Sequence, residues 1–254
     1  RHARQVGLMV FTPGDTLATQ PVAGDRPYAS LLFTSNGRVY VDEGGRDAWS
    51  SSITVGVLGL SLASEVHNAV HDLMGSERPR GYEHQIYAGG EPTARYTLAR
   101  QKLWIADPSG LVDVKTTVQG SVGFLTETSA SISLRAGRFN SPWWGFAPEL
   151  TDYMAAPVPS ESYRGGRELY VFAGARVKAR AYNAFLQGQF RHSDVRYTAD
   201  EIEPLLAEAW IGVVTQILDQ TQLSYALHYQ TAELRDGPAS RDSLWGAVQL
   251  THAF

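Results

Sequence analysis

The chain has 254 residues, 43% of them apolar, which is enough for one large β domain. A formal charge of -4 offers no basic surface for nucleic acid, and the absence of cysteine removes disulfides, thiol nucleophiles and cysteine zinc sites. No run of about 18 apolar residues occurs, which excludes a membrane-spanning helix but not a membrane β-barrel, whose strands need be only half apolar.

Residues 3–11 read as a strand rather than a signal peptide. Thr12-Pro13 and Asp25-Arg26-Pro27-Tyr28-Ala29 then frame a loop. Pro27 fixes its backbone, so Asp25, Arg26 and Tyr28 are presented in defined directions, either as rim groups or as a local anchor. A strand follows over 28–35. Asn36-Gly37 predicts a tight type I′ hairpin, and the next strand runs over 47–58.

Residues 61–75 are the one convincing helix. Ser61 is its expected N-cap, Glu65 lies in its first turn and Gly75 ends it. Leu62, Val66, Ala69, Val70 and Leu73 share an apolar face. His67 and His71, one turn apart, flank it at the polar boundary, where they suit a crevice between helix and wall. Their spacing also fits a metal, but position 68 is Asn where a zinc protease helix needs Glu. Gly81-Tyr82-Glu83-His84-Gln85 and Glu91-Pro92 close this loop.

Alternation resumes over 92–105, where Arg95 and Arg100 fall on opposite faces, and over 113–126, 128–138, 168–183, 201–216, 221–231 and 243–254. In 113–126, Val114, Val118, Val122 and Phe124 share the apolar face. In 168–183, Leu169, Val171 and Val177 alternate with Arg176, Lys178 and Arg180. Segment 139–166, with its prolines and Trp143-Trp144, reads as an excursion at the opposite end from the helix. In the last strand Leu244, Gly246, Val248, Leu250 and Phe254 share a parity, as at the C-terminus of a bacterial outer-membrane barrel.

Ten strands, several longer than the usual six residues, carry polar faces rich in Arg, Lys, Gln and Ser. Tyr182, Trp104, Trp210 and Trp245 near strand ends suggest an aromatic girdle. The expected fold is a single all-β domain over 1–254, an antiparallel transmembrane barrel; a soluble sandwich is the alternative. With a periplasmic C-terminus, loops 12–27 and 59–91 both fall on the extracellular side.

Thr-Pro…Asp-Arg-Pro-Tyr-Ala at 12–29, Gly-Val-Leu-Gly at 56–59 and Glu-Val-His-Asn-Ala-Val-His at 65–71 together resemble the lipid A 3′-O-deacylase (LpxR-type) family. Gly81-Tyr82, Gln85, Glu91-Pro92, Tyr96 and Leu134-Arg135-Ala136-Gly137 extend the likeness. The resemblance implies a twelve-stranded outer-membrane barrel of a Gram-negative bacterium. It also implies a calcium-dependent esterase that removes the 3′-linked acyloxyacyl chain of lipid A in lipopolysaccharide. The site would lie between the barrel wall and an extracellular-loop helix. It makes His71 the general base, with His67, where many members carry Gln, as its neighbour. Asp25, Arg26, Tyr28 and Gln85 would support the site or grip substrate phosphates. The calcium ligands are not legible. An Asn-Asp pair and a Tyr-Thr-x-Gly motif on the family's first hairpin are not found here, so a hairpin carrying site residues is expected to be lacking. A monomer is expected. A non-catalytic barrel such as a small porin, and an outer-membrane phospholipase using a rim serine (Ser61, Ser64 or Ser76), are the alternatives.

Overall fold

The computed structural model describes residues 2–107, 110–146, 167–219 and 221–252. Among these residues ten antiparallel strands follow one another in a single sheet, each bonded to its sequence neighbours. They are β1 (His2–Phe11), β2 (Ala29–Val41), β3 (Asp47–Leu58), β4 (Glu91–Ala106) and β5 (Val112–Gly123), then β6 (Leu125–Arg138), β7 (Leu169–Asn183), β8 (Leu205–Leu218), β9 (Thr221–Gln230) and β10 (Ser243–His252). Helix α1 (Leu62–Met74) lies between β3 and β4, and the short α2 (Ala184–Gln187) follows β7. No helix among the described residues is long and apolar enough to cross a membrane. Strands of 10 to 16 residues are long enough to cross one at a tilt.

The two strand faces differ in chemistry. Outward residues are apolar and exposed: Val118 58%, Ile132 52%, Val171 56%, Val248 72%. Inward residues are charged and buried. Arg180 binds Glu127 at 2.8 Å and also reaches Glu233, while Arg95 meets Glu127 at 3.6 Å. Arg176 and Lys178 share Glu208, and Arg135 binds Asp113 at 2.7 Å. An isolated charge inside a barrel would be costly to desolvate, so each is paired. Arg100 stands on the outer face with Asp47 at 2.7 Å, which resolves the ambiguity of its strand.

The sheet curls until its two ends approach. At the helix end, the β1–β2 loop touches the β9–β10 loop through Arg26 and Glu233 at 2.5 Å, and the β7–β8 loop through Tyr197 Oη on the Asp25 carbonyl. Ile86, Tyr87, Phe124 and Phe185 cork this end with Leu31 and Leu58. The other end is covered by 139–146, where Trp144 packs on Val39 and Ala48 and Trp143 Nε1 donates to the Gly45 carbonyl at 2.9 Å. Most of the expected 139–166 excursion, and Phe254, lie outside the described residues.

Three expectations are corrected. Asn36-Gly37 is not a hairpin: both residues pair within β2, Asn36 with Arg4 on one side and Ile53 on the other. The turn is at Asp42–Arg46, where Asp42 Oδ1 accepts from the amides of Arg46 and Asp47 and Gly45 takes φ 65°. Tyr182 packs on the core at the helix end and is not in a girdle, and nor is Trp210. Trp210 shares the parity of Glu208, points inward and occupies the space left by Gly174 opposite. Phe124 turns into the core at the β5–β6 turn and leaves the lipid face.

Candidate active site

The loop between β3 and β4 is set at its base by Gly59. Its amide donates to the Ser30 carbonyl at 3.0 Å. Its φ is 69°, and a Cβ there would stand 2.0 Å from the Tyr87 carbonyl oxygen, so only glycine lets the two limbs of the loop meet. Helix α1 then runs to Gly75, which ends it in the left-handed conformation at φ 68°.

The helix is oriented against the habit of a soluble amphipathic helix. Its apolar side is exposed: Leu62 41%, Val66 41%, Val70 44%, Leu73 89%. Its half-buried side carries Ser64, His67, Asn68 and His71, with only Ala63 fully buried. The histidines therefore face protein and the leucines and valines face outward.

The histidines belong to a chain of four side chains. Tyr82, in a 3₁₀ turn at Tyr82–His84, places its hydroxyl 2.5 Å from His67 Nδ1. His67 Nε2 lies 3.1 Å from His71 Nε2, and His71 Nδ1 lies 2.9 Å from Ser76 Oγ. Ser76 donates to the His71 carbonyl at 3.3 Å, so its oxygen is left to accept from His71 Nδ1–H. His71 Nε2 is then the lone-pair nitrogen, His67 Nε2–H donates to it, and the Tyr82 hydroxyl donates to His67 Nδ1; these tautomers are assigned from the network. The electrostatics agree. Burial first, and the neighbouring His71 second, lower the pKa of His67, which favours the neutral ring that the network uses. Burial and then the neighbouring Tyr28 hold the Tyr82 phenol well above its ordinary value, so it stays a donor.

Tyr28 packs against Tyr82 with its ring tilted by 36° and the centroids 4.4 Å apart, and its hydroxyl donates to the Thr16 carbonyl at 3.0 Å. Its pKa is pushed up to about 12 by burial, with Asp15 and Glu83 adding to it. The structure thus brings His67, His71 and, through Tyr82, Tyr28 together. The other sequence candidates hold the loops. Asp25 accepts from the amides of Gly14 and Arg26, both at 2.7 Å. Arg26 is engaged with Glu233 and lies over the Phe11 ring at 4.1 Å. Gln85 accepts from Ser30 Oγ at 3.0 Å. His84 meets Asp194 at 2.7 Å, tying the 3₁₀ turn to the β7–β8 loop. Tyr82 and Ser76 are the participants whose roles the sequence hid, since their side chains meet the histidines only through the fold of the loop.

Calcium would need several oxygen ligands. The carboxylate beside His71, Asp72, is taken by Arg78 at 2.6 and 2.7 Å. Among the described residues no group of three or more His, Asp or Glu side chains is placed to hold a metal. The side chains described do not fit the expected ion.

Comparison with known proteins adds a family and a fold. A family model described as "Outer membrane protein LpxR" matches residues 1–254. The structure is similar to that of LpxR from Salmonella typhimurium, with a TM-score of 0.80 and 19% identity, over 99% of this chain and 84% of that one. No curated protein sequence matches.

Proposed function

The chain belongs to the LpxR family of outer membrane proteins, and from that premise we propose that it is a lipid A deacylase whose general base is His71. The observation that carries the reading is the orientation of α1. Its apolar side, Leu62, Val66, Val70 and Leu73, is exposed, while its other side presents the histidine pair. A fatty acyl chain lying along the first side brings its ester to the edge where the second begins. Such a substrate suits the helix better than any water-soluble one.

The chemistry is ester hydrolysis. Water displaces His67 from His71 Nε2, accepts from His67 Nε2–H, donates to His71 Nε2 and attacks the carbonyl carbon. His71 takes the proton as the tetrahedral adduct forms. Collapse of the adduct breaks the bond to the sugar oxygen, and His71 returns the proton to that oxygen. The products are a free fatty acid and a sugar hydroxyl. A positioned base of this kind contributes typically 10²–10⁴-fold. Before water enters, His67 and Tyr82 hold the imidazole in the tautomer with Nε2 unprotonated, and Ser76 holds its other nitrogen.

The site is proposed to face the outside of the cell. Loops 12–28, 59–90, 184–204 and 231–242 gather at the helix end, whereas the connections at the opposite end, 42–46, 107–111 and 219–220, are short apart from 139–168. Outer-membrane barrels keep long loops outside and short turns in the periplasm. A porin is not supported, since paired charges fill the interior and both ends are corked.

The test is mass spectrometry of lipid A from cells producing the full-length protein. Loss of the 3′-linked acyloxyacyl mass is expected. An unchanged acyl pattern would end the deacylase reading, and turnover of phospholipid instead would transfer the site to a phospholipase.

A further inference from the structure

Across β1 and β2 a contiguous polar area interrupts the mostly apolar outer wall. On β2 the outward positions Thr34, Asn36 and Arg38 are all polar and exposed. Beside them, on β1, His2 pairs with Arg38 and Arg4 pairs with Asn36. On the other side Ser51 of β3 pairs with Arg38. The next outward positions on β3 return to Ile53 and Val55, exposed at 53% and 45%. Arg4 and Arg38 stand diagonally across the β1–β2 ladder, a separation of about 7–8 Å. Neither has a carboxylate partner among the described residues. Arg100, the outward arginine two strands away, has Asp47.

Arg38 also borders a groove of about 360 Å³ on the same wall, lined with His2, Tyr40, Trp49, Ser51 and Leu98. The groove exists because Ser51 is small between larger neighbours. Tyr40 and Trp49 pair one row nearer the turn at 42–46 and are exposed at 64% and 44%. Exposed aromatic rings at a strand end mark the level of the lipid headgroups. Arg38 lies three residues inside the end of β2. At about 3.3 Å per residue and a tilt near 45°, that is roughly 7 Å into the bilayer, from which arginine can snorkel back to the headgroups.

We propose that Arg4 and Arg38, with the groove between Tyr40, Trp49 and Leu98, form a binding site for the phosphate of a glycerophospholipid in the leaflet opposite the helix. Two unpaired guanidinium groups in a low-dielectric wall demand an anion, and guanidinium matches phosphate geometry. The aromatic rings and Leu98 bound the glycerol and first acyl carbons. This site lies at the other end of the barrel from His71 and does not depend on the deacylase reading.

The experiment is lipid retention by the full-length protein, purified in detergent and read by native mass spectrometry, with heat-modifiable gel migration to confirm folding. Wild type is expected to retain phospholipid. R4Q/R38Q, at exposed positions, is expected to fold and to bind added phosphatidylglycerol more weakly, by about fivefold for each charge removed; R4K/R38K keeps the charge and retains most of it. Equal retention by R4Q/R38Q would overturn the proposal. Inorganic phosphate that competes as well as the lipid would show a site for the free ion and overturn the lipid assignment. A dimer that R4Q/R38Q dissociates, without retained lipid, would give the wall to a second copy of the chain. If R4Q/R38Q does not fold, the same comparison between wild type and R38K/S51W, which fills the groove, decides: undiminished retention contradicts the site.

Discussion

His71 Nε2 faces His67 Nε2 across 3.1 Å. Between two such nitrogens there is room for one proton, and the partners at the outer ends, Tyr82 and Ser76, decide whose it is. The pair therefore presents one basic lone pair, on His71, and presents it in a fixed direction. A residue that the sequence ranks as a neighbour becomes the group that sets the state of the base.

The first prediction concerns that group. H67A removes the N–H that orients the entering water toward His71 and is expected to lower kcat about tenfold, the value of one hydrogen bond of about 1.4 kcal/mol, with KM little changed. H67Q restores an N–H donor and should recover most of the rate, and Y82F should fall between the two. Initial rates on purified lipid A decide it; equal rates for H67A and wild type would make the contact incidental.

A second prediction is the pH dependence of loop docking. His67 in the folded loop has a pKa below the ordinary 6.5, by burial first and by His71 second. The undocked loop then binds the proton more readily. Docking is fully present above about pH 6.5 and weakens as the pH falls through the lowered value. Hydrogen exchange of amides 62–85, corrected for intrinsic rates, should rise between about pH 7.5 and pH 5, and H67Q should lose most of that rise. A rise of the same size in H67Q would assign it elsewhere.

Gly59 gives the third. G59A places a methyl group 2.0 Å from the Tyr87 carbonyl at φ 69°. The loop must shift, so activity should drop sharply while the strands remain paired, a cost of about 1–3 kcal/mol confined to the loop. Faster exchange restricted to 59–90 would support this, and full activity would contradict the close approach.

The fourth lies in the barrel mouth. Glu233 serves Arg26 and Arg180, joining the loops that bring the two ends of the sheet together. E233A leaves both guanidinium groups without this carboxylate, and a loss of about 3–5 kcal/mol is expected. A lower urea midpoint for loss of the folded gel band would show it; an unchanged midpoint would mean the loops close without this pair.

Much of the fold was legible because a barrel wall is read twice. Leu169, Val171 and Val177 face out and Arg176, Lys178 and Arg180 face in, as their parity requires. The ends of strands were less legible. Asn-Gly at 36–37 carries turn chemistry, yet strands pair on both its sides and the carboxylate of Asp42 makes the real turn. Trp210 shows that residue type does not give the face: its parity, and a glycine on the next strand, do. In the site, helical spacing disclosed His67 and His71, because contacts within one helix are local. Tyr82, eleven residues beyond His71, is brought to them by the path of a loop, which no periodicity records. Asp25 and Arg26 have the composition of a binding pair, but their partners, Gly14 in the same loop and Glu233 far away in sequence, give them anchoring contacts.

The central claim is that His71 abstracts the proton from water in lipid A deacylation. Its most direct test is mass spectrometry of purified lipid A incubated with full-length wild-type protein or with H71A, both shown to be folded. Release of the 3′-linked acyloxyacyl group by wild type, and a fall of 10²-fold or more in H71A, is the predicted result. Release at an undiminished rate by H71A would contradict it.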